Sequence, residues 1–256
     1  MIPPPPMSRP RAQILAHGRG EASVEAVYRS LAEHREWLVP LGFFPRRELA
    51  AACKVAFGPR HQIPHAELWV FTEQATATQA VQEGALLGSY ILSIPGTRLF
   101  AELPEKVDFH ELRINAGGFQ EDLLRFERAQ FDRLARWAAL VATEEHLADA
   151  KASEEGLREA LGRHPEFHVP LMPDGRMVAK PGHDGFAQPG VACTTPDSYT
   201  AFVGALDPAL AGQLTQRVVD GTGFRQEVAR QDIDALYLNP FGPGPTRTLP
   251  RATLGV

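Results

Sequence analysis

The sequence predicts an α+β fold written twice: two tandem homologous units, each a small mixed sheet packed by helices, joined by a helical linker. Residues 22–41 (ASVEAVYRSLAEHREWLVPL) and 152–171 (ASEEGLREALGRHPEFHVPL) are identical at nine of twenty positions without a gap. A weaker series recurs with a shift of 124. It pairs Ala85, Leu86 and Gly88 with Ala209, Leu210 and Gly212, then Phe100, Asp108, Leu112, Asn115 and Gly118 with Phe224, Asp232, Leu236, Asn239 and Gly242. Helix-like and strand-like stretches interleave without a regular βαβ rhythm, which selects α+β over a doubly wound sheet. The expected organisation is a disordered proline-rich tail over 1–19, a first unit over 20–120, a connecting helix over 121–150 and a second unit over 151–256.

Each unit opens with a serine N-cap, Ser23 or Ser153, and a glutamate in the first turn suits the positive end of the helix. Val27/Leu31 and Leu157/Leu161 then fall four apart on one helical face. The Val-Pro-Leu segment predicts a short strand, with proline at an edge or strand end where its missing N–H is tolerated. In the second unit, GRMVAK and GFAQPGVACTT flank PGHDG, so Gly182, Asp184 and Gly185 mark a hairpin. The first unit has a longer insert in the same place. Thr72 and Thr195 are expected to cap the next helix, with Pro196 at its first position. Asp207-Pro208 repeats the start signal for a helix over ALAGQLTQRV. VDFHELRIN and QDIDALYLN predict strands ending at an asparagine before a Gly/Pro turn. Val39, Leu112, Val169 and Leu236 are then buried strand positions. Leu124, Phe131, Leu134, Ala138 and Val141 form the apolar stripe of the connecting helix.

Composition narrows the function. Hydrophobic residues at 44% and charged residues at 22% match a chain with a real core, which excludes wholesale disorder. With 26 basic against 31 acidic residues, the chain lacks the basic excess that phosphate neutralisation demands, so no nucleic-acid partner is expected. Cys53 and Cys193 sit in apolar surroundings with no CxxC or Cys/His cluster, and both read as small buried hydrophobes. MIPPPPMSRPR is not a signal peptide, and the longest apolar stretch, 85–94, is too short to cross a bilayer. A cytoplasmic protein with no membrane span is expected. The prolines could also dock a polyproline reader.

No phosphate loop, dinucleotide fingerprint, nucleophile elbow or HExxH motif is present. His61/His65 and His164/His168 are four apart, but each pair spans a proline, so no metal site is expected from a shared helical face. His34 and His164 occupy equivalent helix ends, where an imidazolium would favour the negative dipole. Asp232 and Asp234 would share one strand face, and a solvated role is favoured over acid–base chemistry. For Asn115 and Asn239 the favoured role is a turn built by local side-chain bonds. The functional alternative is a loop exposing Asn239, Pro240 and Phe241. These three, with Trp69 and Phe71 of the first unit, are the candidate partner-binding residues. No catalytic, cofactor-binding or metal residues are assigned, and no cofactor is expected.

The helix leading into VPL, then MPDGRMVAKPGHDGFAQPGVACTTPDSYTAF and QDIDALYLNPFGP, resembles the N-terminal domain of the SseB family, named for enhanced serine sensitivity and distinct from the secretion translocator of the same symbol. Leu41 with Trp69-Val70-Phe71-Thr72-Glu73 fits the same pattern in the first unit. That unit departs at INAGGF, where Asn115 is followed by alanine instead of proline. The resemblance covers both units and omits the tail and connecting helix. It implies an α+β domain without established catalytic residues, and it points to a non-enzymatic binding or adaptor module with a protein partner, such as a bacterial secretion accessory. An immunity-type protein that neutralises a toxin or effector is the alternative, its acidic charge steering it to a basic partner. An enzyme with a site in the cleft between units is the third reading.

Overall fold

A computed structural model describes residues 7–41, 61–62, 67–82, 90–108, 111–116 and 124–256, and its fold is α+β. The chain divides into two compact units, Met1–Val141 and Ala142–Val256. Among the described residues no helix is long and apolar enough to cross a membrane.

The first unit runs through α1 (Arg9–Gly18), α2 (Val24–Glu33), β1 (Trp37–Leu41), β2 (His61–Gln62), β3 (Glu67–Val70) and α3 (Gln74–Gln82). It continues through β4 (Tyr90–Ile94), α4 (Gly96–Lys106), β5 (Val107–Asp108), β6 (Glu111–Ile114), β7 (Leu124–Glu127) and into α5 (Arg128–Ala148), where the unit boundary falls. β4 pairs antiparallel with β1, β3 runs parallel to β6, and β6 pairs antiparallel with β7. Reciprocal backbone bonds of 2.9 Å between Leu38 and Phe71 tie β1 to the end of β3, giving the order β4-β1-β3-β6-β7.

The second unit comprises α6 (Glu154–Arg163), β8 (Phe167–Leu171), β9 (Pro189–Ala192), α7 (Pro196–Gly204), α8 (Pro208–Ala211) and β10 (Thr215–Val219). α9 (Gly221–Ala229), β11 (Ala235–Leu238), β12 (Arg247–Pro250) and a 3-10 turn over Arg251–Leu254 complete it. β10 pairs antiparallel with β8, β9 runs parallel to β11, and β12 pairs antiparallel with β11. His168 and Cys193 exchange backbone bonds of 2.8 and 3.0 Å, so the order is β10-β8-β9-β11-β12. The three pairings of the second unit have parallels in the first, which adds a parallel pair between β2 and β5 that the second unit lacks.

Local chemistry explains these elements. Ser23 and Ser153 accept from Ala26 N at 3.2 Å and Gly156 N at 3.1 Å, each filling an orphan donor of its helix. Val27, Leu31, Leu157 and Leu161 are buried, so the four-residue spacing faces the core as expected. Val39, Leu112, Val169 and Leu236 are 6, 0, 0 and 0% exposed, which fixes the inward face of each sheet. In the second unit Phe167, Val169 and Leu171 face the larger cluster with Phe224 and Val228. The opposite face carries Val191, Cys193 and Tyr237 against Phe202 of α7.

Four expectations are corrected. Residues 9–18 of the proposed disordered tail form α1, because Ile14 is buried and Glu73 accepts from both Ser8 N and Arg11 Nη1 at 2.9 Å; residues 1–6 lie outside the described residues. The stretch 124–127 is a strand, with Phe126 buried between exposed Arg125 and Glu127, so α5 starts only at Arg128. From there Phe131, Leu134, Ala138 and Val141 pack into the first core as the stripe requires. ALAGQLTQRV is not one helix: α8 stops after four residues at Gly212, and Thr215–Val219 pairs with β8. Asp232 and Asp234 precede β11, and the Asp234 carboxylate accepts from Ala187 N at 2.6 Å and Gln188 N at 3.0 Å, locking the hairpin base. The hairpin itself forms where expected, with Gly182, Asp184 and Gly185 at positive φ.

Candidate functional site

The loop 239–246 between β11 and β12 is held by an asparagine that the turn requires. Asn239 has φ 51°, in the left-handed region where asparagine is tolerated better than bulkier residues. Its side chain is fully buried. Oδ1 accepts from Thr194 N at 2.8 Å, and Nδ2 donates to Pro245 O at 3.1 Å. The Thr194 hydroxyl bonds the same amide, at 3.1 Å from Oδ1 and 2.9 Å from Nδ2. In the first unit Asn115 has φ 56° and accepts from Thr72 N at 2.9 Å and Thr72 Oγ1 at 3.2 Å. Thr72 therefore clamps a strand end instead of capping a helix. Thr195 does cap α7, accepting from Ser198 N at 3.1 Å.

Two further bonds fix the loop. Thr246 Oγ1 donates to Asn239 O at 2.9 Å, and Ser198 Oγ donates to Pro243 O at 2.8 Å. Gly242 packs so closely that a Cβ would stand 2.5 Å from Ser198 Cα, so only glycine fits. This rigid frame holds Phe241 at φ 104°, an outlier for a bulky side chain, and the residue is 62% exposed. Lys180 Nζ stands 4.9 Å from the Tyr237 ring centre and 6.0 Å from that of Phe241. The His183 ring lies 4.1 Å from Tyr237 on a hairpin secured by Thr248 Oγ1 donating to Asp184 Oδ2 at 2.5 Å. Lys180 thus lies across one buried ring, Tyr237, and one exposed ring, Phe241.

Of the five candidate partner-binding residues, Phe241 alone is strongly exposed. Asn239 and Pro240 are buried and shape the turn. Phe71 is wholly buried in a small cluster with Ala77 and Ala80, because β3 ends by bonding to Leu38 and turns that ring inward. Trp69 is half-buried against the same cluster, with Arg113 Cζ 5.8 Å from its ring. Lys180, His183 and Tyr237 escaped the sequence reading, since only the hairpin and the β9–β11 pairing bring them together.

His164 is a structural group, and the imidazolium expectation fails for it. At 1% exposure, burial lowers its pKa to about 4, so the ring is neutral near pH 7. Nε2 donates to Thr194 O at 2.9 Å, and Nδ1 lies 3.2 Å from the Thr143 hydroxyl. Burial also lowers the pKa of half-buried His34 at the matching helix end. Below the ordinary histidine value of 6.5 the unfolded chain takes up a proton that folded His164 refuses, so stability falls with pH until the folded pKa near 4 is passed. The expected loss from this group is about 3 kcal/mol. Urea midpoints at pH 7 and pH 4.5 check it: wild type should lose more than His164→Gln.

Cys193 is buried and its thiol is pushed up to about 12 by desolvation, which makes it inert as a nucleophile at neutral pH. Cys53 and His65 lie outside the described residues. His168 Nδ1 lies 2.6 Å from Gln216 Nε2, while His164 bonds Thr194 and Thr143, so the two rings have separate partners. Among the described residues no group of three His, Cys, Asp or Glu side chains could hold a metal ion. No protein-family model, curated protein or solved structure matches the chain.

Proposed function

We propose that this protein is a non-enzymatic protein-binding module of SseB-like type, capturing a protein partner through the loop 239–246 with Phe241 as anchor. The carrying observation is the cost of presenting that ring. A bulky residue at φ 104° stores about 1–3 kcal/mol of backbone strain, yet its side chain gains little burial in return. Such strain persists where the surroundings impose it, and here Asn239, Ser198, Thr246 and Gly242 do so. A rigid exposed aromatic is also the side chain that most often anchors an interface, because little ordering entropy remains to be lost on docking. Action in the cytoplasm belongs to the same proposal and is supported by the buried free thiol of Cys193.

Phe241→Gly separates presentation from folding. Glycine adopts φ 104° without strain, so the variant is expected to be about 1 kcal/mol more stable than wild type in urea. It should nevertheless lose the proteins that immobilised wild type retains from host lysate, identified by mass spectrometry. Equal capture by both proteins, or no specific capture by wild type, would overturn the reading.

A further inference from the structure

We infer that the outer edge of β10 is an interface between two copies of this chain, paired antiparallel about a two-fold axis through Val218. The hydrogen-bond directions of β8 settle which groups of β10 face outward. His168 bonds Cys193 through both its N–H and its carbonyl, and Val178 N donates to Pro170 O at 3.0 Å. His168 and Pro170 therefore face away from β10, and Phe167, Val169 and Leu171 make the bonds to it. Their partners across the ladder are Val219, Arg217 and Thr215. By alternation, the backbone groups of Gln216 and Val218 point to the outer edge, and among the described residues neither N–H has a partner. Pro170 also finds its explanation here, because its missing N–H lies on the side away from β10.

An unpaired edge is a template for another strand, and proteins usually guard it with charge, proline or a bulge. At the other end of this sheet β12 closes on Pro250, and Arg247 Nη1 donates to His146 O at 3.0 Å and Asp149 O at 2.9 Å. β10 carries no proline, and its one charge, Arg217, is engaged by Glu227; the strand is exposed along four of its five residues, and Val218 is 52% exposed. A copy of the same strand is the occupant its charge favours. Like pairs with like only where no charge is left unbalanced, and Arg217, the one charged residue of β10, is neutralised by Glu227 at 2.5 Å. The register follows from sterics and sign. Centring on Arg217 would set two guanidinium groups directly opposite each other in a close pair. Centring on Val218 sets that side chain opposite the partner's Val218 and Arg217 opposite the partner's Val219.

Sedimentation of the full chain from 1 to about 100 μM tests this, in a range where specific strand-edge dimers register. Wild type should approach twice 28.1 kDa. Val218→Pro removes only the outward N–H, so it should keep wild-type urea stability and weaken dimerisation about 100-fold. Val218→Lys sets two like charges on the axis without altering the backbone, and decides the matter if the proline variant fails to fold. Dimerisation weakened in a folded variant supports the interface. A monomeric wild type, or dimers that persist in folded variants, would overturn it.

Discussion

Gly221→Ala is expected to destabilise the second unit by about 4 kcal/mol. Gly221 opens α9 where its N–H donates to His164 O at 3.0 Å, which draws the start of α9 onto the end of α6. A Cβ there would press into the carbonyl oxygens of Leu161 and Gly162, both backbone groups that cannot rotate aside. The helix must move out, losing the bond and part of the contact between Phe224 and Phe167, whose rings stack at 4.0 Å. The first unit repeats the arrangement. Gly96 N donates to His34 O at 2.7 Å, and a Cβ would stand 2.5 Å from Leu31 O. The three tryptophans, Trp37, Trp69 and Trp137, all belong to the first unit, so fluorescence follows Gly96→Ala and far-UV circular dichroism follows Gly221→Ala. Gly204→Ala is the control: a Cβ there meets nothing within 4 Å, and the change should leave stability within about 1 kcal/mol of wild type. A Gly221→Ala variant as stable as that control would refute the close-approach account.

Asn239→Ala should cost a comparable amount, about 4 kcal/mol, through a different route. Truncation leaves the buried N–H of Thr194 and the carbonyl of Pro245 without the amide that joins them. It also puts alanine at φ 51°, which asparagine tolerates more readily. Asn239→Asp keeps an acceptor for Thr194 N and gives up the donor to Pro245, so it should fall between alanine and wild type. The two losses separate by site: amide exchange of Thr194 reports the strand end, and proteolysis within 239–246 reports the loop. If alanine left both protected, the clamp would be superfluous and the presentation of Phe241 would need another cause.

How much of this was legible in the sequence depends on the range of the interaction. Ser23, Ser153 and Thr195 announced helix starts because a cap is satisfied within three residues. The Gly182–Gly185 turn was legible for the same reason, since positive φ selects its own residues. Burial of Leu112 and Leu236 followed from matching one strand against its counterpart. Phe71 was misplaced because an apolar run such as WVF does not state which side of the sheet will be covered. TQRVV was misassigned because Asp207-Pro208 starts a helix without fixing its length, and the ladder with β8 ended it.

By itself, then, the amino-acid order determined the local grammar: caps, turns, the alternation of apolar residues and the α+β character, all set by contacts between near neighbours. Tertiary structure alone decided what lies at the surface and with which companions. Lys180 reaches the rings of Tyr237 and Phe241 because a hairpin folds back beside a parallel strand pair. His164 stays neutral because a closed core desolvates it, which outweighs both the Thr194 carbonyl and the helix end that favour the charged form. Desolvation and long-range strand pairing act between residues distant in sequence, and those outcomes appear only when the chain has closed on itself.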